Sequence, residues 1–228
     1  MSDVWGIVLA GGGGTRFGGE KQFVELDSRT LLEHALAGAR TACAAVVVVV
    51  PEHACERAHK LLEQNGPEPG EVRVVAGGDQ RADSVRAGLA ALPEAARIVL
   101  IADAAHPLAT PQLYAAVVGA VRAGADGAVP GVPITEAIAP VQAGRRGPGG
   151  VPREGHVLVQ MPHAFSVTAL RAVHAGGAAG VEDSAMVAAW TRPDGRPAEV
   201  AVVAGEPGNL HITTPAELEL ARRIFSQP

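Results

Sequence analysis

The residues with the clearest chemical potential open the chain, in Gly11–Gly12–Gly13–Gly14–Thr15–Arg16–Phe17–Gly18–Gly19–Glu20–Lys21. Glycines lack a Cβ and tolerate positive φ, so such a run can curl and turn several N–H groups toward one anion. Arg16 and Lys21 add two fixed positive charges. Amides and cations together read as a cradle for a polyphosphate, and the plain alternative is a tight connection carrying two solvated cations. The spacing is not that of a P-loop, because no Gly–Lys–Ser/Thr triplet closes it, and a GxGxxG fingerprint is met only by sliding along the glycines. Two further groups stand out: Gly77–Gly78–Asp79 with Ser84 five residues on, and Asp103 after the apolar run Ile98 to Ala102. Each has a structural alternative, Asp103 as a turn cap and Asp79, Asp83 or Ser84 as residues of a helix start.

These groups are positioned by an alternation of apolar strand and amphipathic helix patterns. Strands are expected at 4–10, 45–50, 71–76, 97–102, 126–134, 156–161 and 198–204, and helices at 31–42, 53–64, 82–92, 110–124, 166–174, 182–191 and 214–225. The helices at 110 and 214 open on Thr–Pro, an N-cap followed by proline in the first turn. Such alternation predicts an α/β fold with a mainly parallel twisted sheet and helices on both faces, because parallel neighbours need crossover connections. Ligands of such sheets bind at the carboxyl ends of the strands. The glycine run, Gly78–Asp79 and Asp103 each follow a strand, so they are expected along one edge as one site. Residues 142–153, rich in Gly, Arg and Pro, read as a surface loop or as the tip of an arm.

Composition narrows the partners. The 228 residues are 47% hydrophobic and carry a formal net charge of -5, so one domain with a substantial core is expected, and neither nucleic acid nor a membrane surface is an expected partner. Cys43 and Cys55 are the only cysteines, and no leader or bilayer-length apolar span is visible, which suits the cytoplasm. The eight histidines show no pair at metal-ligand spacing beside a third ligand, so no zinc site is expected. His34 reads as structural.

Gly11 to Phe23, Leu32–Glu33–His34, Gly77 to Leu89, Asp103–Ala104–Ala105, Pro130 to Thr135, Arg153, Pro162, Glu182–Asp183, Asn209 and Thr214 to Leu218 resemble, in order along nearly the whole chain, the 2-C-methyl-D-erythritol 4-phosphate cytidylyltransferase family. The resemblance implies a Rossmann-like, nucleotide-diphospho-sugar transferase-like fold and an arm near 135–160. It implies transfer of CMP from CTP to a small phosphorylated alcohol with release of pyrophosphate, in isoprenoid biosynthesis. Ala10, Gly11, Gly12 and Gly14 would hold the nucleotide through backbone contacts, with Arg16 and Lys21 on the triphosphate. Gly78, Asp79 and Ser84 would meet the cytosine, Ala104 the ribose, and Asp103 a Mg²⁺ ion beside the α-phosphate. Arg153 would reach the acceptor phosphate from the arm, which in the family interlocks two subunits and so implies a homodimer.

The chain departs from the family pattern on the acceptor side. His106 stands where the family has Arg, His211 where it has Lys, and Ala137 and Met161 where it has Thr. Unperturbed histidine is mostly neutral at pH 7, although neighbouring phosphates would raise its pKa. Each lost hydroxyl removes roughly 0.5–1.5 kcal/mol of hydrogen bonding. Three readings follow: another acceptor such as ribitol 5-phosphate, the erythritol reaction with histidines in place of the lost cations, or a CTP-binding regulatory paralogue without catalysis. A dinucleotide oxidoreductase is a weaker rival, since only Glu33 is available near the place of an acidic ribose ligand.

Overall fold

Val4, Trp5, Ile7, Val8 and Leu9 are all buried, which makes β1 (Val4–Leu9) the middle of a sheet covered on both faces. The computed structural model describes residues 3–11, 17–64, 71–176 and 182–226. After β1 come a short hairpin of β2 (Glu25–Leu26) and β3 (Arg29–Thr30), α1 (Leu31–Arg40), β4 (Ala45–Val50), α2 (Cys55–Gln64), β5 (Glu71–Ala76), α3 (Arg81–Ala90), β6 (Ile98–Asp103) and α4 (Pro111–Arg122). The second half holds β7 (Gly127–Pro133), a small hairpin of β8 (Val141–Gln142) and β9 (Arg145–Arg146), β10 (Val157–Val159), β11 (His163–Ser166), α5 (Val167–Ala175), α6 (Asp183–Ala188), β12 (Val200–Ala204) and α7 (Pro215–Phe225).

The main sheet runs β10-β7-β11-β6-β1-β4-β5, with β12 parallel to β7. Parallel pairing joins β6, β1, β4 and β5, and only β10 and β11 run against the others. The alternation of side chains divides the core. Val8, Val46, Val48 and Leu100 pack with Leu36 of α1 and Val117 of α4 on one face. Ile7, Val47, Val49 and Ile101 pack with Leu89 of α3, Leu170 of α5 and Val187 of α6 on the other. Strands buried on both faces need continuous apolar runs, which is why Val46 to Val50 carries no polar residue. The Thr–Pro openings behave as the sequence predicts: the Thr110 hydroxyl accepts from Leu113 N–H, and Thr214 from Glu217 N–H.

One expectation is corrected. The strand expected at 156–161 is the shorter β10, and a further strand, β11, not expected, follows Pro162, which has no N–H to continue a ladder; β10 pairs with the far end of β7, and β11 inserts between β7 and β6. Between β7 and β10 the chain makes an exposed excursion that includes the β8–β9 hairpin and an Ile138–Val151 bridge. A small separate cluster of Leu26, Leu31, Ile212, Leu218 and Ala221 pins the segment before α7 against the β2–β3 hairpin. No helix among the described residues is long and apolar enough to cross a membrane.

Candidate functional site

Three strand ends build one cavity. Because β6, β1, β4 and β5 are parallel, the residues after β1, β5 and β6 leave the sheet at the same edge. A cavity of about 230 Å³ there is lined by Leu9, Ala10, Gly11, Lys21, Gln22, Gly78, Asp79, Gln80, Arg81, Ser84, Asp103 and Ala104. Gly12, Gly14 and Arg16 lie outside the described residues.

The turn beyond the glycine run is held from both sides. Gly18 adopts φ +91°, a left-handed backbone that favours glycine. Glu20 receives a hydrogen bond from Arg57 of α2 at 3.0 Å and lies 3.1 Å from His53 Nε2, and the Arg57 guanidinium covers the Phe23 ring at 4.2 Å. Lys21 follows, its Nζ donating to the Ile212 carbonyl at 3.0 Å. The cation therefore spans from the turn after β1 to the segment before α7.

On the opposite wall, Gly77 and Gly78 permit close packing rather than unusual torsions. A Cβ on Gly77 would stand 2.5 Å from Ser84 Oγ, and one on Gly78 2.4 Å from Asp83 Cβ. Asp83 caps its helix by accepting from Gln80 N–H at 3.2 Å, the structural role the sequence left open, whereas Asp79 and Ser84 line the cavity. Arg81, also on the wall, is ion-paired to Asp183, which is 1% exposed and lies 2.9 Å from His174 Nε2. Sequence reasoning passed over Arg81, although its place at the start of α3 directly after Gly78–Asp79 was visible.

The expected roles separate on inspection. Ala10 lines the cavity, but its N–H is engaged by the Val49 carbonyl at 2.8 Å, so that amide is not offered to a phosphate. The Ala104 N–H is likewise engaged, by Leu9, and its side chain is buried at the wall. Asp103 lines the cavity with Oδ1 accepting from the Ala105 N–H at 2.8 Å, a turn-capping bond that also fixes the carboxylate. Met161 packs in an apolar cluster on one face of the sheet and is not among the residues lining the cavity. Ala137 and Arg153 are exposed on the arm and are not among the residues lining the cavity, with the Arg153 guanidinium donating to the Thr135 carbonyl at 2.9 Å.

His106 and His211 do meet. The Ile212 N–H donates to the Ala105 carbonyl at 2.8 Å, which lays the two segments side by side and stacks the rings with centroids 4.5 Å apart. One ligand atom each from Asp103, His106 and His211 lie within 4.8 Å of one another. This corrects the expectation that no histidine pair has a third ligand beside it: only the Asp103–His106 spacing is local, and His211 is distant in sequence. Burial pushes the His106 imidazole down to about 4, with Asp103 pulling the other way, so it is neutral at pH 7 and is not a resident cation. His34 is structural, as read: its Nε2 lies 2.8 Å from the Leu26 carbonyl and its ring meets Phe225 edge-on.

Known proteins can be set beside this geometry. The family model for 2-C-methyl-D-erythritol 4-phosphate cytidylyltransferase matches residues 4–227. A protein of that name from Rhodococcus jostii (strain RHA1) is 37% identical, over 97% of this chain and 94% of its own length. The crystal structure of the Thermus thermophilus protein of the same name is 30% identical, covers 97% of this chain and 98% of its own, and superposes with a TM-score of 0.75. A 4-diphosphocytidyl-2C-methyl-D-erythritol synthase from Anaerococcus prevotii DSM 20548 shares the fold, with a TM-score of 0.82 at 21% identity and 99% coverage of both chains.

Proposed function

Because the chain belongs to the 2-C-methyl-D-erythritol 4-phosphate cytidylyltransferase family, we propose that it transfers CMP from CTP to 2-C-methyl-D-erythritol 4-phosphate and releases pyrophosphate, the whole chain serving as one nucleotidyltransferase domain. The observation that carries this reading is the convergence of the turn after β1, Gly78–Asp79 after β5 and Asp103 after β6 on one cavity. Membership makes the chain a CTP-dependent nucleotidyltransferase, and the acceptor is taken from the relatives. The ribitol-type and non-catalytic alternatives rest on the acceptor-side departures alone, and the relatives do not favour them.

In the proposed reaction an acceptor phosphate oxygen attacks the α-phosphorus of CTP in line. The new P–O bond forms as the bond to the β-phosphate oxygen breaks, and pyrophosphate leaves. No protein nucleophile is needed, so the work is the holding of two mutually repelling anions in geometry and the offset of charge at the reacting centre. Lys21, with Arg16, Gly11, Gly12 and Gly14, takes the triphosphate; Gly78, Asp79 and Ser84 take the cytosine, and Ala104 lies near the ribose. A single wall carboxylate with substrate phosphate oxygens is a common way to hold Mg²⁺, and Asp103 fits that use. Mg²⁺, when bound, supplies neutralisation of phosphate charge. On the acceptor side, His106 and His211 lie next to Asp103. Arg153 and Ala137 belong to that side only if the arm of one subunit reaches the cavity of another, in a homodimer whose contact would include the exposed Ile138, Val141 and Leu158.

Pyrophosphate release with CTP, Mg²⁺ and a panel of polyol phosphates tests the proposal. The methylerythritol phosphate is expected to give the highest kcat/KM. A higher value for ribitol 5-phosphate would replace the acceptor, and no release with any acceptor would overturn the reading.

A further inference from the structure

Beside the nucleotide cavity, side chains from two distant segments form a cluster whose composition the transferase chemistry does not require. Asp103 ends β6, His106 lies three residues on, and His211 arrives on the segment before α7. The two imidazoles stack with planes 14° from parallel, and one carboxylate oxygen and one nitrogen of each ring lie within 4.8 Å of one another. His106 is only 8% exposed, and among the described residues its Nδ1 has no hydrogen-bond partner. A buried polar nitrogen in that state carries a desolvation cost that a ligand would relieve.

We propose that Asp103, His106 and His211 bind one divalent cation of the borderline class, such as Zn²⁺, Co²⁺ or Ni²⁺, in preference to Mg²⁺. The donor set carries the choice. Imidazole nitrogen suits borderline transition metals, whereas Mg²⁺ is held through carboxylate, phosphate and water oxygens. Two imidazoles and one carboxylate make the three-ligand set of an open metal site, which leaves a coordination position for water or a phosphate oxygen. Bonds of about 2.1 Å at tetrahedral angles set donor atoms roughly 3.4 Å apart. Loading therefore contracts the present spacing, between a buried His106 and an exposed His211. Asp103 also lines the cavity, which puts the cation against the nucleotide phosphates. That role deepens the transferase reading and rests on it, while the site itself does not. The competing account is a ring stack that only packs.

The test uses untagged full-length protein, stripped with a chelator and titrated with Co²⁺ while its visible ligand-field absorption is recorded without nucleotide. One Co²⁺ per chain is expected, displaced by Zn²⁺ and retained in a large excess of Mg²⁺. His211→Ala, at an exposed position, is expected to lower Co²⁺ affinity at least tenfold with an unchanged circular dichroism spectrum, and His106→Asn to do the same. Equal Co²⁺ binding by the wild type and a variant with both substitutions would overturn the site, as would displacement by equimolar Mg²⁺. Cytidylyl transfer with Mg²⁺ is measured in parallel. Transfer without a Co²⁺ site would sink this inference alone, and a Co²⁺ site without transfer would uphold it and sink the transferase role.

Discussion

Lys21 lines the cavity and also donates to the Ile212 carbonyl, so one side chain links the turn after β1 to the segment that brings His211 to Asp103. Its place was legible in the sequence, because a cation within a glycine-rich turn after a first strand has few other uses. Lys21→Ala is expected to lower turnover with CTP by roughly 100-fold, the scale of losing one positioned group that stabilises developing charge, with little change in thermal stability; steady-state kinetics beside a melting curve separates the two. Ala10 was not legible, since nothing in the sequence tells that its N–H is spent on Val49. Nor was the meeting of His106 with His211, which depends on one backbone bond between Ala105 and Ile212.

Titration also belongs to single residues. Burial depresses the folded-state pKa of His106 to about 4, below its unfolded value near 6.5. A depressed pKa gives a contribution that is complete above pH 6.5 and is lost as pH falls toward 4, here about 3 kcal/mol. Burial works against ionisation of Glu182, but His163, whose Nδ1 lies 3.1 Å away, and hydrogen bonds from Ser184 hold its carboxyl at about 2, so its contribution is lost lower, from about pH 4.5 toward 2. Urea unfolding of the metal-free chain is therefore expected to show stability falling between pH 6.5 and 4, and His106→Asn to flatten that slope while leaving the loss below pH 4.

At the scale of elements, the strand and helix alternation was legible because buried parallel strands must be apolar on both faces and helices advertise their caps. What was not legible is β11: four residues after a proline are too short to show a period, and only their insertion between β6 and β7 makes them a strand. The wall of the cavity also depends on a tie between helices. Asp183 at the start of α6 joins Arg81 at the start of α3 to His174 near the end of α5. Burial opposes ionisation of Asp183, but these two partners hold its carboxyl below the usual range. Asp183→Ala leaves a buried histidine and a wall arginine without their carboxylate. It is expected to destabilise the fold by about 3 kcal/mol and to raise KM for CTP; chemical denaturation and kinetics check the two effects.

For the whole molecule, the most exposed large apolar side chains among the described residues, Val141, Val202 and Leu158, fall on and beside the arm. Large apolar side chains left exposed on one segment mark a candidate interaction site, and Arg153 lies on the same excursion and is not among the residues lining its own chain's cavity. The homodimer proposed above covers this surface and delivers Arg153 to a second cavity. Leu158→Glu is expected to convert a dimer to a monomer in light scattering and to lower kcat/KM for the acceptor more than affinity for CTP. A monomeric wild type with full activity would remove Arg153 from the site. The sequence held the arm's composition but not its destination, because one chain does not show what a second copy covers.

Phosphorus NMR of the wild-type protein with CTP, Mg²⁺ and 2-C-methyl-D-erythritol 4-phosphate tests the central claim most directly. The account predicts that the acceptor phosphomonoester signal is replaced by the paired resonances of a CDP-linked product, with one equivalent of free pyrophosphate. An unchanged phosphomonoester signal and intact CTP after prolonged incubation would contradict it.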